Sequence, residues 1–169
     1  MNQTFPTFGK KKNSQRDYYE EGYRFEKFII ELFNDRYFHN KIWRKSKNHD
    51  GSPIPYDYWN PDLEMELVFF GKRSYRFAVE CKWREKFRNG IITWAKSSQI
   101  CNYQIFQDQV RIPVFVAIGV GGEPDNPEKL FLTPLNSILK SSVYESDLVP
   151  YERKPTQRFF YDVQQLKLF

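Results

Sequence analysis

The sequence predicts an α/β domain, with a central mixed sheet flanked by helices in the order helix, strand, strand, strand, helix, strand. Three observations carry this expectation. Tyr18, Phe25, Phe28, Ile29, Leu32 and Phe33 recur at three- and four-residue spacing, the apolar stripe of a helix. Residues 61–83, PDLEMELVFFGKRSYRFAVECKW, read as two strands around a turn at Gly71. Residues 111–120, RIPVFVAIGV, are apolar on both faces, as a strand buried between helices must be.

Taken in order, residues 1 to about 15 read as a flexible basic arm carrying Lys10, Lys11 and Lys12, and residues 16–169 as a single domain with a hydrophobic core. The first helix is expected from about Asp17 to Tyr37, capped by Ser14 or Asp17. Residues 40–46 read as a short strand, and the Asn, Asp, Gly, Ser and Pro of the following stretch as a loop. The strand pair comes next, and Arg84 to Gly90 is a charged connection. A second helix is expected from about Ile91 to Gln109, with Ile92, Trp94, Ala95, Ile105 and Phe106 on its apolar face. Gly119, Gly121 and Gly122 read as a turn. They lack the Lys-Ser/Thr ending and the helix start of a phosphate-cradling loop. Residues 129–133 read as a strand, Pro134 as the first turn of a helix running to about Ser141, and Arg158 to Val163 as a closing edge strand.

Composition narrows the class. The chain carries 16 Phe, 11 Tyr and 4 Trp, and a net charge of +5, which suits a polyanionic partner. Cys81 and Cys101 have no metal-type spacing and read as two buried, reduced thiols of a cytoplasmic protein. The opening MNQTFPTFGKKK has no apolar signal-peptide core, and the longest apolar run, residues 114–120, is too short to span a bilayer.

The chemistry is concentrated in the strand pair. Asp62 opens its first strand, and Glu80 and Lys82 sit near the end of its second. Two carboxylates on one sheet face hold a divalent cation through hard oxygen ligands, and a neighbouring lysine screens phosphate charge. Side chains alternate along a strand, so Asp62, Glu64 and Glu66 share one face of the first, and Ala78, Glu80 and Lys82 share one face of the second. The two faces coincide only if paired residue numbers sum to an even number. A three-residue loop, Gly71-Lys72-Arg73, meets that condition by pairing Phe70 with Ser74 and Asp62 with Lys82. The competing reading is a solvated face on which Glu64, Glu66, Glu80 and Lys82 merely pair their charges.

At Pro61-Asp62 and, seventeen residues later, Glu80-Cys81-Lys82, the sequence resembles the PD-(D/E)XK nucleases, the restriction-endonuclease-like superfamily. The expected element order matches that superfamily's αβββαβ core. A second Pro-Asp, Pro124-Asp125, and a second Glu-x-Lys, Glu152-Arg153-Lys154, lie among glycines and prolines and read as loop. The resemblance implies a metal-dependent DNA endonuclease. Asp62 and Glu80 would bind Mg²⁺, for which Mn²⁺ would substitute, with the Cys81 carbonyl as a further ligand. Lys82 would orient the attacking water or stabilise the phosphate, and Glu26 on the first helix would complete the shell or hold a water. Gln99 is a weaker candidate on the second helix, one turn from Tyr103, and its bland alternative is a surface glutamine. Arg44, Lys45, Lys47, Arg84, Lys86, Arg88 and Lys96 are the candidate phosphate contacts. Implied partners are DNA and, beyond it, a second copy of the chain or a partner protein.

Other readings stay open. One is the same fold as an inactive module that binds DNA or a partner protein; another is a structural protein with a charged sheet face. Asp50 and Asp57 are rival acids. His39 and His49 lack the ββα context of a His-Asn-His nuclease.

Overall fold

The computed structural model describes residues 14–44, 60–69 and 73–169. Lys45, Lys47, His49, Asp50, Asp57 and the basic arm up to Asn13 lie outside the described residues. Ser14 and Gln15, expected in the arm, already belong to the first helix, α1 (Ser14–Leu32).

Among the described residues, the main sheet has six strands: β1 (Phe38–Trp43), β2 (Leu63–Phe69), β3 (Arg73–Arg84), β5 (Val114–Val120), β6 (Lys129–Pro134) and β8 (Glu152–Arg153), side by side in that order. Only β3 and β5 run parallel, and the other neighbours are antiparallel. A parallel pair needs a crossover. Here it contains a short strand, β4 (Ile91–Thr93), and the helix α2 (Ser97–Val110).

The sheet separates two hydrophobic cores, and the alternation along its strands assigns residues to each. Phe77, Val79 and Cys81 of β3, with Phe115 and Ala117 of β5, pack on the α1 side with Phe25, Ile29 and Phe33. Ala78 of β3, with Val114, Val116 and Ile118 of β5, packs with Ile100, Tyr103 and Phe106 of α2. All of β5 is buried, so it tolerates no polar face.

The β2–β3 pairing sets the positions of the charged residues. Leu63 lies opposite Val79 and Phe69 opposite Arg73, so the paired numbers sum to an even number. Three residues, 70–72, connect the strands, one position earlier than expected. The register is therefore shifted by two from the expected Phe70–Ser74 pairing. A two-residue shift preserves the face of every side chain, but it brings Asp62 beside Glu80 instead of Lys82.

Several boundaries differ from expectation, each for a local reason. Helix α1 ends at Leu32, not Tyr37. Asn34 accepts the Arg36 N–H on its side chain at 3.0 Å, and its carbonyl accepts the N–H groups of Tyr37 and Phe38, which turns the chain into β1. Residues 91–96 are not helical. Asn89 and Gly90 take positive φ and form a turn. The β-branched run Ile91-Ile92-Thr93 then pairs as β4 with β7 (Ser142–Tyr144). Ile92, Trp94 and Ala95 still enter the expected core, from extended backbone. That pairing with β7 also limits the helix expected after Pro134 to one 3₁₀ turn, Leu135–Ser137. The closing edge of the large sheet is β8, so Glu152-Arg153, expected as loop, is strand. Tyr161–Asp162 (β9) pairs instead with Lys167–Leu168 (β10), and Phe159, Tyr161 and Leu168 close the α1-side core. Arg158 donates to the carbonyls of Glu31 and Phe33, a cation at the C-terminal end of α1. Pro124-Asp125 does lie in a turn, between Glu123 and Asn126. Both cysteines are free, but Cys101 is exposed, because it sits on the outer face of α2.

α1 packs against the sheet at Gly119, where an added Cβ would come within 2.4 Å of the Phe25 ring. Phe25 is fully buried and adjoins Glu26 in the chain, so it has little room to yield. Gly119→Ala is therefore expected to destabilise the fold by about 1–3 kcal/mol, the usual cost of overpacking a core. Urea unfolding measures this, and a change below about 0.5 kcal/mol would mean that α1 is loosely seated.

Candidate active site

The even register and the parallel β3–β5 pairing bring Asp62, Glu80 and Lys82 together where β2 begins and β3 approaches its end. Cys81 donates its backbone N–H to Oδ2 of Asp62 at 2.8 Å. The N–H of Asp62 reaches Oε2 of Glu80 at 3.3 Å. The Lys82 ammonium is ion-paired with Oε1 of Glu80. The same oxygen accepts the hydroxyl of Tyr103 at 2.6 Å, delivered by α2 from across the core. Glu80 is only 1% exposed, so these donors, not water, satisfy it.

Glu26 enters from α1. Its Oε2 accepts the indole N–H of Trp43 at 2.6 Å, and the Trp43 ring stacks on Tyr23 with centroids 5.0 Å apart and planes 8° from parallel. Neither local pairing of Glu26 forms. Arg24 binds Glu123 and Asp125, and Lys27 lies 3.7 Å from Glu31.

Titration follows from burial and like charge. Burial, then Glu80, pushes the Asp62 carboxyl well above the usual carboxylate range, against the opposing pull of Lys82. Burial also raises Glu26 to about 7, opposed by the Trp43 hydrogen bond and reinforced by Glu80. Burial alone would lower Lys82, but Glu80 and Asp62 outweigh it and hold the ammonium protonated well above its ordinary range. The Cys81 thiol and the Tyr103 hydroxyl are both driven up by burial beside these acids and stay neutral.

Glu80 raises the protonation of Asp62 and of Glu26, and a bound cation relieves crowding of this kind. Asp62 and Glu80 lie on one face, and one or two carboxylates with several retained waters are the donors that Mg²⁺ takes. Among the described residues, no three carboxylate, thiol or imidazole side chains already stand at ligating spacing.

The remaining candidates separate by where their polar atoms go. Gln99 accepts the Lys96 N–H at 3.0 Å and caps α2. The Arg84 guanidinium binds the carbonyls of Trp83, Thr93 and Trp94. Arg44 also turns inward, to the Pro61 carbonyl and Glu64. Lys86, Arg88 and Lys96 are exposed. Glu64 and Glu80 are buried, which removes the solvated charged face as a description of this sheet. Sequence reasoning missed the roles of Tyr103 and Trp43. Tyr103 lies one turn from Gln99, but its hydroxyl finds Glu80 only through the crossover. Trp43 is linked to Glu26 by no spacing rule at all.

Glu26 generates a test on the metal-free protein. Its folded-state value near 7 lies above its ordinary 4.5, so its protonation supports the fold at low pH. That support is lost as pH rises through 7. Glu26→Gln should therefore be more stable than the parent at about pH 8, with little difference at about pH 4. Urea midpoints at the two pH values check this, and equal differences at both would remove the raised carboxyl.

No protein-family model matches the chain, and no curated protein matches it. The chain is similar in structure to Hjc, a Holliday junction resolvase from the archaeal hyperthermophile Archaeoglobus fulgidus, solved at 1.6 Å resolution. The TM-score is 0.54 at 14% identity, and the alignment covers 84% of this chain and 99% of Hjc. At that identity the likeness speaks for the fold alone. The chain has the restriction-endonuclease-like fold that Hjc has.

Proposed function

We propose that this chain is a metal-dependent endonuclease that hydrolyses DNA phosphodiester bonds. One observation carries the reading. Asp62, Glu80 and Lys82, from two strands, and Glu26, from α1, converge on one enclosed site, where burial and the neighbouring charges raise the protonation of Asp62 and Glu26 and keep Lys82 charged. The fold it shares with Hjc supports the same reading.

In this proposal Asp62, Glu80 and the Cys81 carbonyl hold Mg²⁺, or Mn²⁺ in its place. When bound, the ion supplies Lewis-acid stabilisation of the phosphate and lowers the pKa of water. The chain's own residues do the rest. Lys82 is held protonated, so it serves as a fixed positive charge toward the phosphate and not as a base. Glu26 faces the same site and orients a water through the carboxylate oxygen that Trp43 leaves open. Tyr103 keeps Glu80 from turning away. Lys86, Arg88 and Lys96 are the phosphate contacts the proposal keeps among the described residues, joined by Lys45 and Lys47. No helix of the described residues is long and apolar enough to cross a membrane.

One structural neighbour is a Holliday junction resolvase, so branched DNA is the first substrate to try. A second reading is an inactive module of the same fold that binds DNA or a partner protein. The Lys82–Glu80 ion pair favours it, because it satisfies the buried carboxylate without a metal.

Supercoiled, single-stranded and four-way-branched DNA should be offered side by side at low salt with Mg²⁺ or Mn²⁺. Cleavage that needs the metal and falls at least about a hundredfold in Lys82→Ala and Asp62→Asn is expected, as when one charge-stabilising group is removed. Binding without cutting on all three substrates would favour the inactive module. Cutting that survives both substitutions would place the chemistry elsewhere.

A further inference from the structure

Arg44 follows β1 directly, and its polar atoms grip the turn that presents Asp62. Its main-chain N–H donates to the Asp62 carbonyl at 2.8 Å. Its Nη1 donates to the Pro61 carbonyl, also at 2.8 Å. These two carbonyls belong to the peptide units on either side of Asp62, so one residue ties down both. The side chain is only 10% exposed, and its guanidinium carbon lies 5.6 Å from the centre of the Phe106 ring on α2.

The anchor for this grip is Glu64. It is buried in β2 and paired on both oxygens, Oε1 with Arg44 and Oε2 with Arg76. Arg76 leaves a 45% exposed side chain, so the pairing runs from the surface inward and ends on Arg44. A buried carboxylate of this kind is tolerated only while its partners stay in place. Asp62 itself stands one residue before the first ladder position of β2. The Arg44 main-chain bond carries the β1–β2 pairing one step further to Asp62, and the Arg44 side chain adds the hold on the Pro61 carbonyl.

We infer that Arg44, anchored by Glu64, is a positioning residue that sets Asp62 for metal binding and is not a phosphate ligand. The inference rests on the metal-site reading given above. Arginine suits the task because its rigid fork binds a carbonyl and a carboxylate at once, which a lysine cannot do. Residues that orient metal ligands in this way typically govern affinity by about 10–100-fold.

The test uses the full chain and reads Mn²⁺ affinity by calorimetry, alongside DNA affinity without metal across a salt series. Asp62→Asn shows whether the Mn²⁺ observed is at this site. Arg44→Lys and Glu64→Gln should each weaken Mn²⁺ binding by about tenfold or more. DNA affinity and its salt slope should stay unchanged in Glu64→Gln and Arg44→Gln. A merely structural role would lower the melting temperature and leave the Mn²⁺ affinity of the folded protein within about twofold, which would overturn the inference. So would an unchanged Mn²⁺ affinity with a salt slope reduced by about one in Arg44→Gln, the mark of a lost phosphate contact. If Arg44→Gln does not fold, Arg44→Lys and Glu64→Gln still decide the metal arm. Absence of Mn²⁺ binding in the parent chain would sink the metal-site reading itself. Binding in the parent that the variants share would sink only the role of Arg44.

Discussion

A carboxylate with almost no exposure, Glu80, sits between two hydrophobic cores, and much of the molecule is arranged to make that tolerable. An ionised carboxylate taken from water without partners costs several kcal/mol, more than most single interactions return. Glu80 is answered from three directions: Lys82 on its own strand, Tyr103 from α2, and the Asp62 N–H from the head of β2. Each donor requires its element to be in place. The β2–β3 register, the parallel crossover and the seating of α2 are therefore coupled through one side chain.

The outer parts of the site depend on the same frame. α1 reaches it because Gly119 leaves room for the Phe25 ring against β5, and Glu26 is the next residue. Trp43 holds Glu26 from β1, and Tyr23, three residues before Glu26 on α1, holds Trp43 by stacking. Glu64 and Arg44 fix the turn before β2 from the opposite side. The polar residues thus gather from five elements, α1, β1, β2, β3 and α2. Networks of this kind specify a unique arrangement when fully satisfied and are costly when half made.

Much of the frame was legible because periodicity survives folding. Phe25, Phe28, Ile29 and Leu32 of the expected stripe marked α1, although its first member, Tyr18, is exposed, and the two-faced apolarity of residues 114–120 marked the central strand. Parity did the same for the hairpin. The requirement that Asp62 share a face with Glu80 demanded an even register, and the structure has one, though shifted by two. What failed were stretches whose partners are remote. Ile91–Thr93 matched a helix pattern until Ser142–Tyr144 became available to pair with it. Glu152-Arg153 looked like loop because its neighbours in sequence are prolines, yet β6 gives it a ladder.

By itself, the sequence determined the fold class, the order of the core elements and the likeness of Asp62, Glu80 and Lys82 to a nuclease motif, since all three rest on alternation and short spacing. Only the tertiary structure decided which charges are spent inside. Arg44 and Arg84 carry the same guanidinium as any phosphate-binding arginine, and nothing local distinguishes them. Their forks turn inward because the chain leaves carbonyls at Pro61, Trp83, Thr93 and Trp94 within their reach. Buried backbone oxygens must find donors, and which donor is nearest is a property of three dimensions.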